Sequence, residues 1–120
     1  MSTTTLTHLV TSHGADFFGE DCHSLQLLQQ IAPWVTGWGD TREAGQLLSG
    51  LLETAGAEVH TIPADQAAAF AYLLLHAVHN TYFPKKAAKT ARLLAEAAAR
   101  AAADGEPWTW TPVTGLEASA

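Results

Sequence analysis

The sequence contains one cysteine and few charged residues, and both shortages limit what the chain can be. Cys22 has no second cysteine to pair with, which excludes a disulfide-stabilised secreted scaffold and a zinc site needing two thiolates from one chain. Charged residues make up 15% of the 120 residues, whereas 48% are hydrophobic and 23 are alanine. This composition indicates one helix-rich domain with a single core rather than a disordered chain.

Long apolar runs and an N-terminal targeting signal are also missing. The longest apolar run covers residues 67–75 and ends at His76, far below the roughly 20 residues that span a bilayer. The first ten residues contain no Lys or Arg, so we expect no signal peptide. The acidic neighbours of Cys22 disfavour a reactive thiolate. We therefore expect a cytoplasmic protein without a membrane partner.

Basic residues are scarce overall but concentrated in one segment. Six bases against 12 acids give a net charge of −6, which makes a nucleic-acid partner unexpected. Eight acids and one base lie before residue 66, whereas five bases and one acid lie in 85–100. The charged residues at 85, 89, 92, 96 and 100 are spaced three or four positions apart, so they share one stripe of a helix. The stripe is interpreted either as a solvated face or as a contact surface.

Four helices are predicted from start signals followed by apolar residues at helical spacing. Ser24 is the expected N-cap of the first, and Asp40 with Glu43 forms a capping box at the second. Prolines begin the third and fourth. The predicted helices cover 25 to about 32, 40 to about 56, 63 to about 80, and 84 to about 103.

Short strands are predicted at 5–11 and 58–62, where β-branched residues occur, and residues 107–111 are interpreted as a third short strand or an extended arm. The predicted fold class is therefore α+β and mainly helical, with about four helices and two or three short strands. We expect a single globular domain at 1–111 and a flexible tail at 112–120.

The start of the fourth predicted helix is a candidate anion site. Lys85 and Lys86 lie in its first turn, where the helix dipole favours negative charge rather than cations. A negatively charged partner would interact favourably with both the lysines and the helix dipole, and the free backbone N–H groups of the first turn would donate hydrogen bonds to it. The partner is the chain's own acidic loop around Asp16, a phosphate-bearing ligand, or an acidic patch on another protein. The ligand-binding candidates are Lys85, Lys86, Lys89 and Arg92, with His13 and Asp16 from the loop at 12–21.

A second candidate is a pair of histidines on the third predicted helix. Tyr72, His76, His79 and Phe83 are spaced to share one face, and His76 and His79 could both reach one metal ion. The alternative is two half-buried imidazoles lying over Tyr72. The sequence contains no His-Glu-x-x-His motif, no Gly-x-Ser-x-Gly nucleophile elbow and no glycine-rich phosphate-binding loop. We therefore expect no cofactor and assign no catalytic residue.

Three segments resemble a family of small uncharacterised actinobacterial proteins, some of them phage-carried. Residues 12–21 (SHGADFFGED) are similar to an SHGxDFFGED opening, residues 61–68 to a TIPAE-x-A helix start, and residues 105–110 to a closing PWxW. The resemblance implies that the 12–21 loop and Trp108 and Trp110 are family features, and it implies no activity. Neither the lysine pair nor the histidine pair belongs to these segments.

These observations favour a small non-enzymatic bacterial or phage binding or regulatory protein. Segregated acidic and basic faces suit an electrostatically steered partner, which is another protein, a second copy of the chain or a small anion. One alternative is a metal- or ligand-dependent enzyme that uses the 12–21 loop with His76 and His79. Another is a protein that sequesters nucleotides or other anions at the Pro84–Lys89 helix start.

Overall fold

The computed structural model describes residues 6–13, 21–37 and 39–114. Across these residues the chain forms four α-helices and four β-strands. Two short 3₁₀ turns, Ala32–Trp34 and Gly39–Thr41, lie between the first two helices. In chain order the elements are β1 (Leu6–His13), β2 (Asp21–Ser24), α1 (Leu25–Ile31), α2 (Arg42–Glu53), β3 (His60–Ile62), α3 (Ala64–Val78), α4 (Lys85–Ala103) and β4 (Trp108–Thr114).

The four strands form one antiparallel sheet in the order β2-β1-β4-β3. Its two central strands, β1 and β4, come from opposite ends of the described chain. Their register places Thr11 opposite Trp110 and His13 opposite Trp108. All four helices lie between β1 and β4 in the chain, so the pairing of these two strands is a long-range contact.

One face of the sheet is buried and faces the core. Residues alternate between the two sides of a strand, and Leu9, Thr11 and His13 of β1 are all at most 3% exposed. The buried indoles of Trp108 and Trp110 lie on the same face of β4, with ring centroids 5.3 Å apart in an edge-to-face arrangement. Both tryptophans are fully buried and belong to the core.

Helices α1 and α4 pack on the sheet, and α3 packs against α4 to form a helical hairpin. Residues 79–84 join the two helices, which pack closely against each other. α4 also contacts α1, β1 and β2. Its inner side consists mostly of small residues, which allow neighbouring elements to approach closely: Ala87, Thr90, Ala91, Leu94, Ala95, Ala97, Ala98 and Ala101.

The mainly helical α+β class is confirmed, but the number of strands is four rather than two or three. The additional strand is β2, whose polar Asp-Cys-His-Ser sequence carries no strand pattern and which forms by pairing with β1. β4 extends to Thr114, three residues beyond the predicted domain boundary. The rest of the predicted tail, 115–120, lies outside the described residues.

The start of α2 also differs from the prediction. Gly39 adopts a positive φ of 56° and begins the 3₁₀ turn, so Asp40 lies inside that turn rather than at the helix N-cap. Thr41 occupies the N-cap position without a side-chain capping hydrogen bond, and the predicted capping box with Glu43 is therefore wrong. Ser24 does occupy the N-cap of α1, although its hydroxyl makes no capping bond either.

None of the helices in the described part of the chain is both long and apolar enough to cross a membrane.

Candidate functional site

The predicted basic stripe lies on the solvent-facing side of α4. Lys85, Lys86, Lys89 and Arg92 are all exposed, and so is Glu96 one turn further on. The opposite side of the helix is buried, which fixes the direction in which the stripe points. From residue 85 to 92 the helix rises about 10 Å, so four positive charges lie within about two turns.

The first turn of α4 carries cations and no acid. Pro84 occupies the N-cap, and its fixed φ of −57° with an extended ψ of 119° turns the chain into the helix. Proline has no side-chain acceptor for the first N–H groups, and no capping hydrogen bond forms. Lys85 and Lys86 therefore stand where the dipole favours negative charge, at a cost of a few tenths of a kcal/mol each.

Within the described ranges none of Lys85, Lys86, Lys89 and Arg92 forms an ion pair with a carboxylate. The side-chain contact found there between a basic nitrogen and a carboxylate joins His13 to Asp104 instead. Of the predicted loop at 12–21, residues 14–20, including Asp16, lie outside the described residues. Neutralisation of Lys85, Lys86 or Lys89 by that loop therefore stays a prediction.

The two predicted metal-ligating histidines, His76 and His79, are exposed near the end of α3. With Tyr72 and Leu75 they line an open groove of about 360 Å³. The rings of Tyr72 and His76 are tilted against each other with centroids 6.1 Å apart. Because both imidazoles are exposed, the picture of half-buried rings over Tyr72 does not describe this face.

A second groove, of about 340 Å³, adjoins the first and shares both histidines. Trp34, Ala77 and Asn80 complete its lining. Phe83, predicted to lie on the histidine face, is buried and packs edge-to-face against Trp34, with ring centroids 5.8 Å apart. Within the described ranges no three His, Cys, Asp or Glu side chains are close enough together to hold a metal ion.

His13 is buried in the sheet and bonded to the end of α4. Its Nε2 donates a hydrogen bond of 2.9 Å to Oδ2 of Asp104. The carboxylate can only accept, so the bond assigns a proton to Nε2. His13 is 3% exposed, so this candidate ligand-binding residue presents no surface to a ligand.

The end of α4 places Asp104 beside His13. Asp104 is the C-cap, and Gly105 follows with a positive φ of 66°. The N–H of Glu106 bonds to the carbonyl of Ala101, and the N–H of Gly105 bonds to that of Ala102. This pair of bonds is a Schellman motif, which ends the helix and returns the chain into β4.

The buried face of the sheet also holds polar atoms without a hydrogen-bond partner among the described residues. They include Oγ1 of Thr11, Nδ1 of His13 and the indole nitrogens of Trp108 and Trp110. These side chains belong to the Thr11–Trp110 and His13–Trp108 pairs of β1 and β4, which are next to each other on the same face of the sheet. None lines either of the two grooves described above, so they form a buried polar layer rather than an open site.

The candidate residue His13 and the histidine pair His76 and His79 lie at opposite ends of α4. His13 contacts the C-cap of that helix, whereas His79 lies in the turn that leads into its first residue. The 19-residue helix is about 28 Å long. The structure therefore does not bring His13 together with the histidine groove.

The comparison with known families decides what the chain is related to. Residues 14–111 match DUF7739, a domain of unknown function. The chain belongs to the DUF7739 family. No curated protein and no solved structure matches it. The family is consistent with the resemblance to uncharacterised proteins, and it brings no activity to the site.

The DUF7739 match leaves β1 outside its bounds although β1 is a central strand of the sheet. Sequence reasoning missed Asp104 as the partner of His13 and Trp34 as part of the histidine groove, since these residues come together only in the folded chain. It also missed Asn80, which directly follows His79. Leu75 could have been found from its spacing of three from Tyr72.

Cys22 is exposed, but partial burial desolvates its thiol and raises its pKa. The sequence also predicts a poorly reactive thiol, but on the ground of its acidic neighbours rather than of desolvation.

Proposed function

We propose that this DUF7739 protein is a small non-enzymatic binding or regulatory protein whose basic stripe on α4 contacts an acidic surface of another protein. One observation carries the proposal. Lys85, Lys86, Lys89 and Arg92 are exposed together and make no ion pair with a described carboxylate, on a chain whose net charge is −6. The resemblance supports a bacterial or phage origin, and one unpaired cysteine suits the cytoplasm.

The physical basis is electrostatic steering. Four like charges within about 10 Å repel one another in the free protein and are screened only over a Debye length of about 8 Å at physiological salt. An acidic partner replaces this repulsion with attraction, and at the first turn of α4 it also interacts favourably with the helix dipole. Binding of this kind weakens as salt rises.

A matched pair of variants tests the proposal with labelled poly-L-glutamate as the acidic probe. Lys89→Glu and Arg42→Glu make the same charge change at exposed helical positions, but only Lys89 lies on the stripe. We expect fluorescence anisotropy at low salt to show binding that Lys89→Glu weakens by about tenfold and Arg42→Glu leaves within about twofold. Equal losses in both variants, or no binding by the native chain, would contradict the proposal.

The same titration separates the small-anion alternative. ATP or inorganic phosphate would compete with poly-L-glutamate at low concentration if the Pro84–Lys89 helix start sequesters nucleotides. If the stripe instead binds an acidic protein surface, ATP and phosphate should compete weakly with poly-L-glutamate, and only to the extent that they raise the ionic strength. The enzyme alternative has no comparable support among the described residues, since His13 and the histidine groove lie apart.

A further inference from the structure

The outward face of α3 is unusual for a surface helix because, beyond Asp65 in its first turn, it is exposed but carries no Asp, Glu, Lys or Arg. Tyr72 is 55% and Leu75 46% exposed, and both lie in the groove with His76 and His79. No Asp, Glu, Lys or Arg occurs from residue 66 to 84. An amphipathic surface helix normally turns charged residues towards water. This face therefore has the character of a surface that another apolar surface covers.

The exposed residues of α3 are arranged symmetrically around Tyr72. Asp65 and His79 lie seven residues before and after it, at the two ends of the face. Ala68 and His76 lie four residues to either side, and Ala69 and Leu75 three. All of these are exposed except Ala69, which is half-buried. The small residues are therefore on one side of Tyr72 and the large residues on the other.

We propose that this α3 face (Asp65, Ala68, Tyr72, Leu75, His76 and His79) pairs with the same face of a second copy of the chain. The two helices run antiparallel, and the two-fold axis passes beside Tyr72. A two-fold interface brings each residue opposite its symmetry counterpart. Leu75 and His76 then pack over Ala69 and Ala68 of the second copy, so large side chains meet small ones. The proposal is independent of the basic stripe.

Charge complementarity at the two ends identifies a second copy as the occupant. The carboxylate of Asp65 stands opposite the imidazole of His79 in the second copy, and the same contact occurs again at the other end. An imidazole N–H donates to a carboxylate, which is a charge-assisted hydrogen bond. Next to Asp65, Gln66 lines a groove with Asp40 and Glu43, so two further acidic residues lie near this end of α3. Antiparallel pairing keeps the two acidic ends apart.

The size of the face sets the expected affinity. A single 15-residue helix face is small compared with the roughly 800 Å² per partner of a standard interface. We therefore expect a reversible dimer with a dissociation constant of about 10–100 µM, measured by sedimentation velocity across that range in the presence of EDTA.

Two tyrosine variants test whether the dimer uses this face. Tyr72→Glu places two carboxylates together on the axis and should weaken pairing by at least about tenfold. Tyr82→Glu makes the same change at an 83% exposed tyrosine in the turn after α3, and pairing should stay within about twofold of the native value. A native chain that stays monomeric to about 1 mM, or equal effects of the two changes, would overturn the proposal.

A charge exchange tests the antiparallel register itself. Asp65→Lys with His79→Lys sets two Lys–Lys contacts in its own dimer, and His79→Asp alone sets two Asp–Asp contacts. Each variant should be monomeric where the native chain is dimeric, with an unchanged far-ultraviolet circular dichroism spectrum. Mixed together they form two Lys–Asp contacts, so a heterodimer should appear with an affinity within about threefold of the native dimer. Monomers that do not pair on mixing, or variants that pair alone, would overturn this arrangement.

Discussion

The imidazole of His13 and the carboxylate of Asp104 meet at 2.9 Å although 91 residues separate them in the chain. The bond joins the last residue of β1 to the C-cap of α4, so it connects the centre of the sheet to the helical hairpin. His13 is buried while the side chain of Asp104 is 57% exposed. The contact is therefore a structural bond at the edge of the core, and we expect it to affect stability rather than binding.

Loss of the acceptor at residue 104 should destabilise the fold modestly. Asp104→Ala leaves the buried Nε2 of His13 without its acceptor and should lower the free energy of unfolding by about 1 kcal/mol, because water replaces the exposed carboxylate only in part. Asp104→Asn keeps an acceptor oxygen and should cost less than half as much. Urea denaturation measures both, and equal losses would contradict the role assigned to the bond.

Two glycines of α2 should respond in opposite directions to the same substitution. A Cβ at Gly45 would collide with the backbone of Thr36, whereas a Cβ at Gly50 would meet nothing within 4 Å. Gly45→Ala should therefore cost about 2 kcal/mol or more through steric overlap. Gly50→Ala should stabilise by about 0.5–1 kcal/mol through helix propensity. Thermal denaturation compares them, and a stabilised Gly45→Ala would contradict the close contact between α2 and the preceding loop.

The Cys22 thiol should react slowly although it is exposed. Desolvation raises its pKa, so less of it is thiolate at pH 8 than in an unstructured peptide. Alkylation by iodoacetamide should therefore be slower than for a cysteine peptide at pH 8, and the rate should still rise by nearly a factor of about ten per pH unit there. A rate that is already constant with pH below 8 would contradict the raised pKa.

The helices could be predicted because their signals are local. Pro63 and Pro84 begin α3 and α4, and Gly105 follows the end of α4, as the sequence indicates. The strand β2 could not be predicted, since Asp21–Ser24 has no alternating pattern and depends on hydrogen bonds from β1. The signal for a helix start was misplaced at Asp40, because a 3₁₀ turn separates this residue from the first residue of α2.

The candidate surfaces could also be predicted only where the signal is local. Helical spacing alone places Lys85, Lys89 and Arg92 on one exposed stripe. The His13–Asp104 bond could not be found in this way, because its two residues come together only when the sheet closes on the helical hairpin. The same limit applies to Trp34, which reaches the histidine groove from another part of the chain.

The paired lysines at the start of α4 give a test that separates binding from stability. Lys85→Glu with Lys86→Glu should weaken binding to poly-L-glutamate strongly. The free energy of unfolding should stay unchanged or rise by a few tenths of a kcal/mol, because acids at a helix N-terminus interact favourably with the dipole. Unchanged binding with a lower melting temperature would show that the lysines serve an internal contact instead.

The most direct measurement maps where an acidic partner touches the protein. A ¹⁵N-labelled sample is titrated with poly-L-glutamate, and amide chemical shifts are followed at low salt and again at physiological salt. We predict that the changes concentrate at residues 85–93 and shrink as salt rises, while the amides of α2 and β3 stay unchanged. Shift changes spread evenly over the surface, or concentrated away from the first two turns of α4, would contradict the proposed function.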